Sequence, residues 1–140
     1  MGIVLTNRMR EWIKTGCLLN VTDKRGSPHV TIARKIDSVS DDEVVFALTK
    51  DEYSVIKDAL SKDSWVAFGI IGIGSIRFCY QFKGKGKVKE KGDTVYLTVK
   101  LLEIYCTKPG CYAGLRLDLK SPEELEAWEK ELWTDSPKKK

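Results

Sequence analysis

Two long runs, "SIRFCYQFKGKGKVKE" and "TVYLTVKLLEIYC", alternate side-chain character at every second residue and are separated by "KGD". Period-two alternation is the pattern of a strand, and Lys-Gly-Asp supplies turn chemistry. The stretch therefore predicts a long hairpin, and a hairpin of that length commits the chain to an antiparallel sheet. No interior helix of about ten residues or more separates strands, which argues against a parallel, doubly wound sheet.

The rest of the chain fits the same plan. Leu5, Met9, Trp12 and Ile13 lie on one helical face, stopped by Gly16. "CLLNVTD", "HVTIARKID" and "EVVFALT" read as three strands joined by "DKRGSP" and "SVSDD", an antiparallel meander. "KDEYSVIKDALSKD" predicts a short helix with Asp51 as N-cap and an inward stripe of Tyr53, Ile56 and Leu60. Ser54 and Lys57 fall on its solvent side. "SWVAFGIIGIG" is a buried strand. The last helix opens with Ser121 as cap, Pro122 behind it and Glu124 completing a capping box. Its inward residues are Leu125, Trp128 and Leu132, with Trp133 one position on. The expected fold is mainly β: a six-stranded antiparallel barrel with three flanking helices. One domain is expected over residues 1–134, with 135–140 a disordered basic tail.

Charge narrows the partners. The chain carries 24 Lys and Arg against 20 Asp and Glu, a net +4. The terminal Lys-Lys-Lys supplies most of that excess, so the body lacks the basic bias of a nucleic-acid binder. No apolar run approaches the roughly 18 residues of a membrane span, and the N-terminal stretch turns polar too early for a secretion signal. A cytoplasmic protein with no nucleic-acid and no membrane partner is the expectation. Cys17, Cys79, Cys106 and Cys111 are then reduced thiols by default. A disulfide across the Cys106–Cys111 turn is the alternative, and metal-ligand spacing is missing.

The lysine-rich strip "FKGKGKVKEKGD" invites three readings. A phosphate loop needs GxxxxGK followed by Ser or Thr, between a strand and a helix. Here the glycines are GxG and a hairpin follows, so that reading fails. Alternation puts Lys83, Lys85, Lys87, Lys89 and Lys91 on one face, the pattern of a solvated strand that resists edge-to-edge pairing. Gly84 and Gly86 fall on the other face and leave room for a backbone, a ring or a ligand. His29 is the lone histidine, and no GxSxG accompanies it. Neither a His-rich metal site nor a hydrolase triad is expected, so any redox chemistry would come from a bound cofactor.

The segments resemble the FMN-binding split-barrel family related to pyridoxamine 5'-phosphate oxidase, over residues 4–118. "GCLLNVTDKRGSPHVTIA" is similar to the family's opening hairpin with its D-x-x-G-x-P-H turn. "EVVFALTKDEYSVIKDALSKDSWVAFGI" is similar to its third strand, short helix and fourth strand. "FKGKGKV" is similar to its I-x-G-x-A-x-V strand, and "LLEIYCTKPGCYAGLRL" to its last strand and following loop.

The resemblance implies a homodimer with FMN held noncovalently between subunits. It places the cofactor against Ala33, Arg34 and Lys35 of the second strand, Leu48, Thr49 and Lys50 after the third, and Ser54, Val55 and Ile56 on the helix. Hydroxyls and an ammonium at Thr49, Lys50 and Ser54 suit a phosphate. Two positions that are basic in the family are Val55 and Ile56 here, with Lys57 the nearest cation, and the family's helical Asn is Ala59. The expected function is that of an FMN-dependent oxidoreductase or electron-transfer protein, with no side-chain acid or base required. Pyridoxamine-phosphate oxidase activity is not expected, because the Arg/His-bearing C-terminal segment of those enzymes is lacking. The alternative is a non-catalytic module on the same barrel, binding another flavin-like or porphyrin ligand or serving dimerisation alone.

Overall fold

The predicted hairpin is the spine of the sheet. The structure is a computed structural model that describes residues 3–61, 64–71, 80–107 and 112–135, giving backbone alone for 132–135. Its elements run α1 (Asn7–Ile13), β1 (Cys17–Thr22), β2 (Pro28–Ala33), β3 (Ile36–Val39), β4 (Glu43–Thr49), α2 (Lys50–Ile56), β5 (Ser64–Ile70), β6 (Tyr80–Lys91), β7 (Thr94–Cys106) and α3 (Pro122–Asp135). β6 and β7 pair antiparallel from Tyr80↔Cys106 to Lys91↔Thr94. Gly92 turns the chain between them at φ +63°, a left-handed conformation that suits glycine.

All the described strands join one antiparallel sheet in the order β2-β1-β5-β6-β7-β4-β3. This makes seven strands where six are expected. The pattern in "HVTIARKID" predicts one continuous strand, but the chain breaks after Ala33. Arg34 and Lys35 are both exposed, so the alternation skips a beat. Beyond them β3 pairs with β4 instead of β1. β2 and β3 are the two edges of the sheet, and Arg34-Lys35 links them. The Ala47 N–H of β4 donates to the Lys35 carbonyl at 2.9 Å, so the strip curls until its edges meet at this link.

The inner face of the curl is apolar. Phe46 on β4 meets Phe68 on β5 edge-to-face at 5.0 Å, although those strands are not neighbours in the sheet. Phe68 stacks on Phe82 of β6 at 5.1 Å. Burying each such ring contributes about 1.5–3 kcal/mol, so contact across the curl's interior fixes its curvature. Gly84 and Gly86 are required by this packing. A Cβ on Gly84 would stand 2.0 Å from the Lys100 carbonyl oxygen, beside a register shift in the β6–β7 ladder. One on Gly86 would stand 2.9 Å from Val66 and 3.1 Å from Leu97. The space left by these glycines is taken by backbone and core side chains, not by a ligand. β6 is paired on both sides as far as Gly86, so only Lys87, Lys89 and Lys91 lie where a sheet edge could need guarding.

The helices close the margins. α1 is capped by Thr6, whose hydroxyl accepts from the Met9 N–H, and it buries Met9 and Ile13. α2 buries Tyr53 and Ile56, with Leu60 packed on the core beyond it. Its cap is Thr49 and not the expected Asp51. The Thr49 hydroxyl accepts from the Glu52 N–H at 3.0 Å, and the Glu52 carboxylate accepts from the Thr49 N–H at 3.0 Å. α3 has the expected Ser121–Glu124 capping box and buries Leu125 and Trp128. Leu132 and Trp133 lie outside the described side chains, as do Cys79, Cys111, the end of "GIIGIG" and the terminal basic tail. Among the described residues no helix is long and apolar enough to cross a membrane.

Candidate functional site

Outward-facing residues of β1 and β2, with the first turn of α2, enclose an open groove of about 730 Å³. Its construction follows from strand alternation. Leu18, opposite Ile32, and Val30 point away from the core, while their neighbours Leu19, Thr31 and Ala33 are buried. Val30, Ile32 and Val55 are 48%, 37% and 47% exposed, so the groove has a solvent-facing apolar wall. The Thr31 hydroxyl donates to the Glu52 carbonyl at 2.8 Å and pins α2 across β2. Arg34, Thr49, Asp51 and Glu52 form the polar rim.

The structure brings only part of the expected site together. Arg34, Thr49 and Val55 line the groove. Ala33 and Leu48 are 0% and 1% exposed, with side chains in the core. Lys35 is exposed beyond the groove, at the link to β3. Lys50 turns toward the β6–β7 hairpin and meets Glu90 at 2.8 Å. That hydrogen bond and charge, with the charge of Lys57, hold the Glu90 carboxyl below its ordinary value. The Ser54 hydroxyl donates to the Asp51 carbonyl at 2.7 Å. Ile56 is buried. Leu18, Val30, Thr31, Ile32, Asp51 and Glu52 are groove residues that the sequence reading missed. The outward half of the β1–β2 hairpin, apolar where a solvated strand would be polar, was the available signal.

FMN has two parts to accommodate. The apolar wall suits a planar ring system, and Arg34 with the rim offers hydrogen bonds to its polar edge. The phosphate is another matter. The Ser54 O–H donates inside α2, the Glu52 N–H is capped by Thr49, and Lys50 is paired with Glu90. The rim sets two carboxylates, Asp51 and Glu52, against the one guanidinium of Arg34. The residues fit a ring and do not fit a phosphate dianion.

A second cavity of about 410 Å³ lies on the same outer face of the sheet, across β1, β5, β6 and β7. Asn20, Trp65, Gln81, Lys83 and Glu103 line it. The Lys85 ammonium sits 4.8 Å from the centre of the Trp65 ring, and Lys83 sits 4.8 Å from that of Tyr105. Two lysines of the strip therefore lie over aromatic faces. Trp128 is 7% exposed and packs edge-to-face on Tyr112, a core position. Among the described residues no group of three metal-ligating side chains converges.

No protein-family model and no curated protein matches the chain. Solved structures do match its fold. A candidate pyridoxamine 5'-phosphate oxidase from Lactobacillus delbrueckii is 15% identical, with a TM-score of 0.57 over 73% of this chain and 93% of that one. HupZ of Group A Streptococcus is 13% identical, with a TM-score of 0.60 over 79% and 99%. A candidate flavin reductase with a split barrel domain from Shewanella frigidimarina is 9% identical, with a TM-score of 0.50 over 72% and 74%. The chain thus has the split-barrel fold found in pyridoxamine 5'-phosphate oxidase-like proteins.

Proposed function

We propose that this chain is a flavin-binding protein that carries electrons or hydride, working as a homodimer. The observation that carries this reading is the groove of Leu18, Val30, Ile32 and Val55. It is a solvent-facing apolar wall beside Arg34 and Thr49, on the outer face of a split barrel. An isoalloxazine is flat and apolar on its faces and carries hydrogen-bonding groups along one edge, which is the chemistry such a wall and rim recognise. Flavin reductases among the matched folds lend support. In this reading the flavin supplies the redox chemistry, while the chain binds it, orients it and shields one face from water. The apolar surface of β1, β2 and α2 that the ring leaves uncovered is the surface proposed to meet a second copy.

Absorbance of the purified protein between 350 and 500 nm, followed by titration with riboflavin, FMN and FAD under fluorescence detection, tests the proposal. Bound flavin and quenching at micromolar concentration are expected. A colourless protein that quenches none of the three overturns it. Sedimentation of the same sample as a monomer would remove the homodimer.

A further inference from the structure

The first turn of α2 sets two carboxylates, Asp51 and Glu52, where the split-barrel resemblance puts a phosphate. The reciprocal Thr49–Glu52 bonds, both at 3.0 Å, occupy the Thr49 and Glu52 N–H groups. The Ser54 hydroxyl donates to the Asp51 carbonyl, and that of Thr31, on β2, donates to the Glu52 carbonyl. The first cation of α2, Lys50, is drawn to Glu90 on the neighbouring hairpin. What remains at the rim is Arg34 facing Asp51 and Glu52, an excess of one negative charge. An incoming dianion meets repulsion at that rim, where Arg34 is the one cationic side chain among the described lining residues.

We infer that the groove selects a flavin with an uncharged side chain, riboflavin rather than FMN, and that Glu90 enforces the choice by holding Lys50 out of the groove. This rests on the flavin reading above. Riboflavin and FMN share the ring that the apolar wall of Leu18, Val30, Ile32 and Val55 would cover. They differ only at the end of the polyol tail. Riboflavin ends in a hydroxyl that the Asp51 or Glu52 carboxylate accepts as a hydrogen bond. FMN ends in a phosphate monoester that the same carboxylates repel. The Glu90 carboxylate pairs with Lys50, so its influence on the ligand is one of position.

The test compares riboflavin and FMN by fluorescence quenching at low and at high salt, in the wild type and in Glu90→Gln and Asp51→Asn. Both substitutions fall on exposed side chains outside the core, so the folded state is retained. Riboflavin is expected to bind at least about fivefold more tightly than FMN at low salt, and the gap should shrink as salt screens the rim. Glu90→Gln should tighten FMN severalfold and leave riboflavin unchanged, and Asp51→Asn should tighten FMN while weakening riboflavin or leaving it less affected than FMN. FMN binding as tightly as riboflavin, or more tightly, in the wild type at low salt would overturn the inference and leave the flavin reading intact. So would variants that shift both ligands alike. Binding of neither ligand overturns the flavin reading, and this inference with it.

Discussion

The Tyr80 hydroxyl donates to the Glu129 carboxylate at 2.5 Å, joining the start of β6 to the middle of α3. The Thr6 hydroxyl donates to the same oxygen at 2.9 Å while capping α1. Three elements far apart in sequence thus converge on one carboxylate, in a residue only 5% exposed. Burial pushes the Glu129 carboxyl up from its ordinary value. The Tyr80 and Thr6 hydrogen bonds and the nearby Arg8 charge pull it back, and Glu126 adds to the rise.

Removing the Tyr80 hydroxyl leaves Glu129 buried with one donor fewer. Tyr80→Phe is expected to destabilise the protein by about 2 kcal/mol at neutral pH, the range for a hydrogen bond to a charged group. The sign of the pH dependence follows from the raised carboxyl. Its protonated form is favoured in the folded state, so its contribution is fully present below the unfolded value of about 4.3 and is lost as pH rises through the folded one. Glu129→Gln keeps an acceptor for both hydroxyls and removes the titration. Urea denaturation at acidic and neutral pH should show wild-type stability falling relative to Glu129→Gln as pH rises. Parallel pH curves would refute this account of Glu129.

Gly84 and Gly86 separate two kinds of crowding. Alanine at 84 drives a methyl into the Lys100 backbone, which cannot give without breaking the β6–β7 ladder. Alanine at 86 meets only the side-chain tips of Val66 and Leu97. Gly84→Ala is expected to cost about 3 kcal/mol and Gly86→Ala about 1 kcal/mol, the upper and lower ends of overpacking penalties. Chemical denaturation gives both numbers, and the reverse order would contradict the packing described for β6.

How much of this was legible in the sequence depends on the kind of signal. The β6–β7 hairpin, α1 and α3 were readable because period and caps are local, and the Ser121–Glu124 box formed as its letters say. The Thr49–Glu52 box has the same spacing and is equally readable, although Asp51, the expected cap, is the residue type with the stronger N-cap preference. The break between β2 and β3 was harder, since a strand of β-formers conceals a change of partner. Only the adjacent charges at Arg34 and Lys35 betray it. The pairing of Lys50 with Glu90, forty residues on, was beyond any local reading, because it depends on where the hairpin folds back over α2.

Asp23 gives the β1–β2 turn its pH dependence. Its carboxylate accepts from the Arg25 and Ser27 N–H groups at 2.9 Å each and meets His29 Nε2 at 3.0 Å. The His29 contact, followed by the Ser27 hydrogen bond, holds it down to about 2. A depressed carboxyl contributes stability above its unfolded value of about 3.9, and that stability is lost as pH falls toward the folded value. Asp23→Ala should therefore melt at a lower temperature than wild type at pH 7, with the gap closing between about pH 4 and pH 2. A gap independent of pH would assign the effect to the turn's shape alone.

Cys17 is fully buried, and burial pushes its thiol up to about 12. Its Sγ lies 3.6 Å from the Ile13 carbonyl, at the junction of α1 and β1. Because the thiolate is the reacting species, Cys17 should resist alkylation by iodoacetamide in the native protein at pH 8. Peptide mapping after labelling in urea should then find it modified. Rapid native labelling of Cys17 would contradict its burial.

Arg34 and Lys85 put the choice between groove and lysine strip to a direct comparison. Arg34 is the one cationic side chain lining the apolar groove among the described residues. Lys85 stands over Trp65, outside that groove. A guanidinium donating to a bound ring or tail contributes on the scale of a charge-assisted hydrogen bond, about 1.5 kcal/mol or more. Arg34→Ala is therefore expected to weaken flavin binding roughly tenfold, since about 1.4 kcal/mol corresponds to that factor. Lys85→Ala should leave the same titration unchanged. If Lys85→Ala weakens binding as much as Arg34→Ala, the ligand lies across β5 and β6 instead, against Trp65. The groove between β2 and α2 is then not its site.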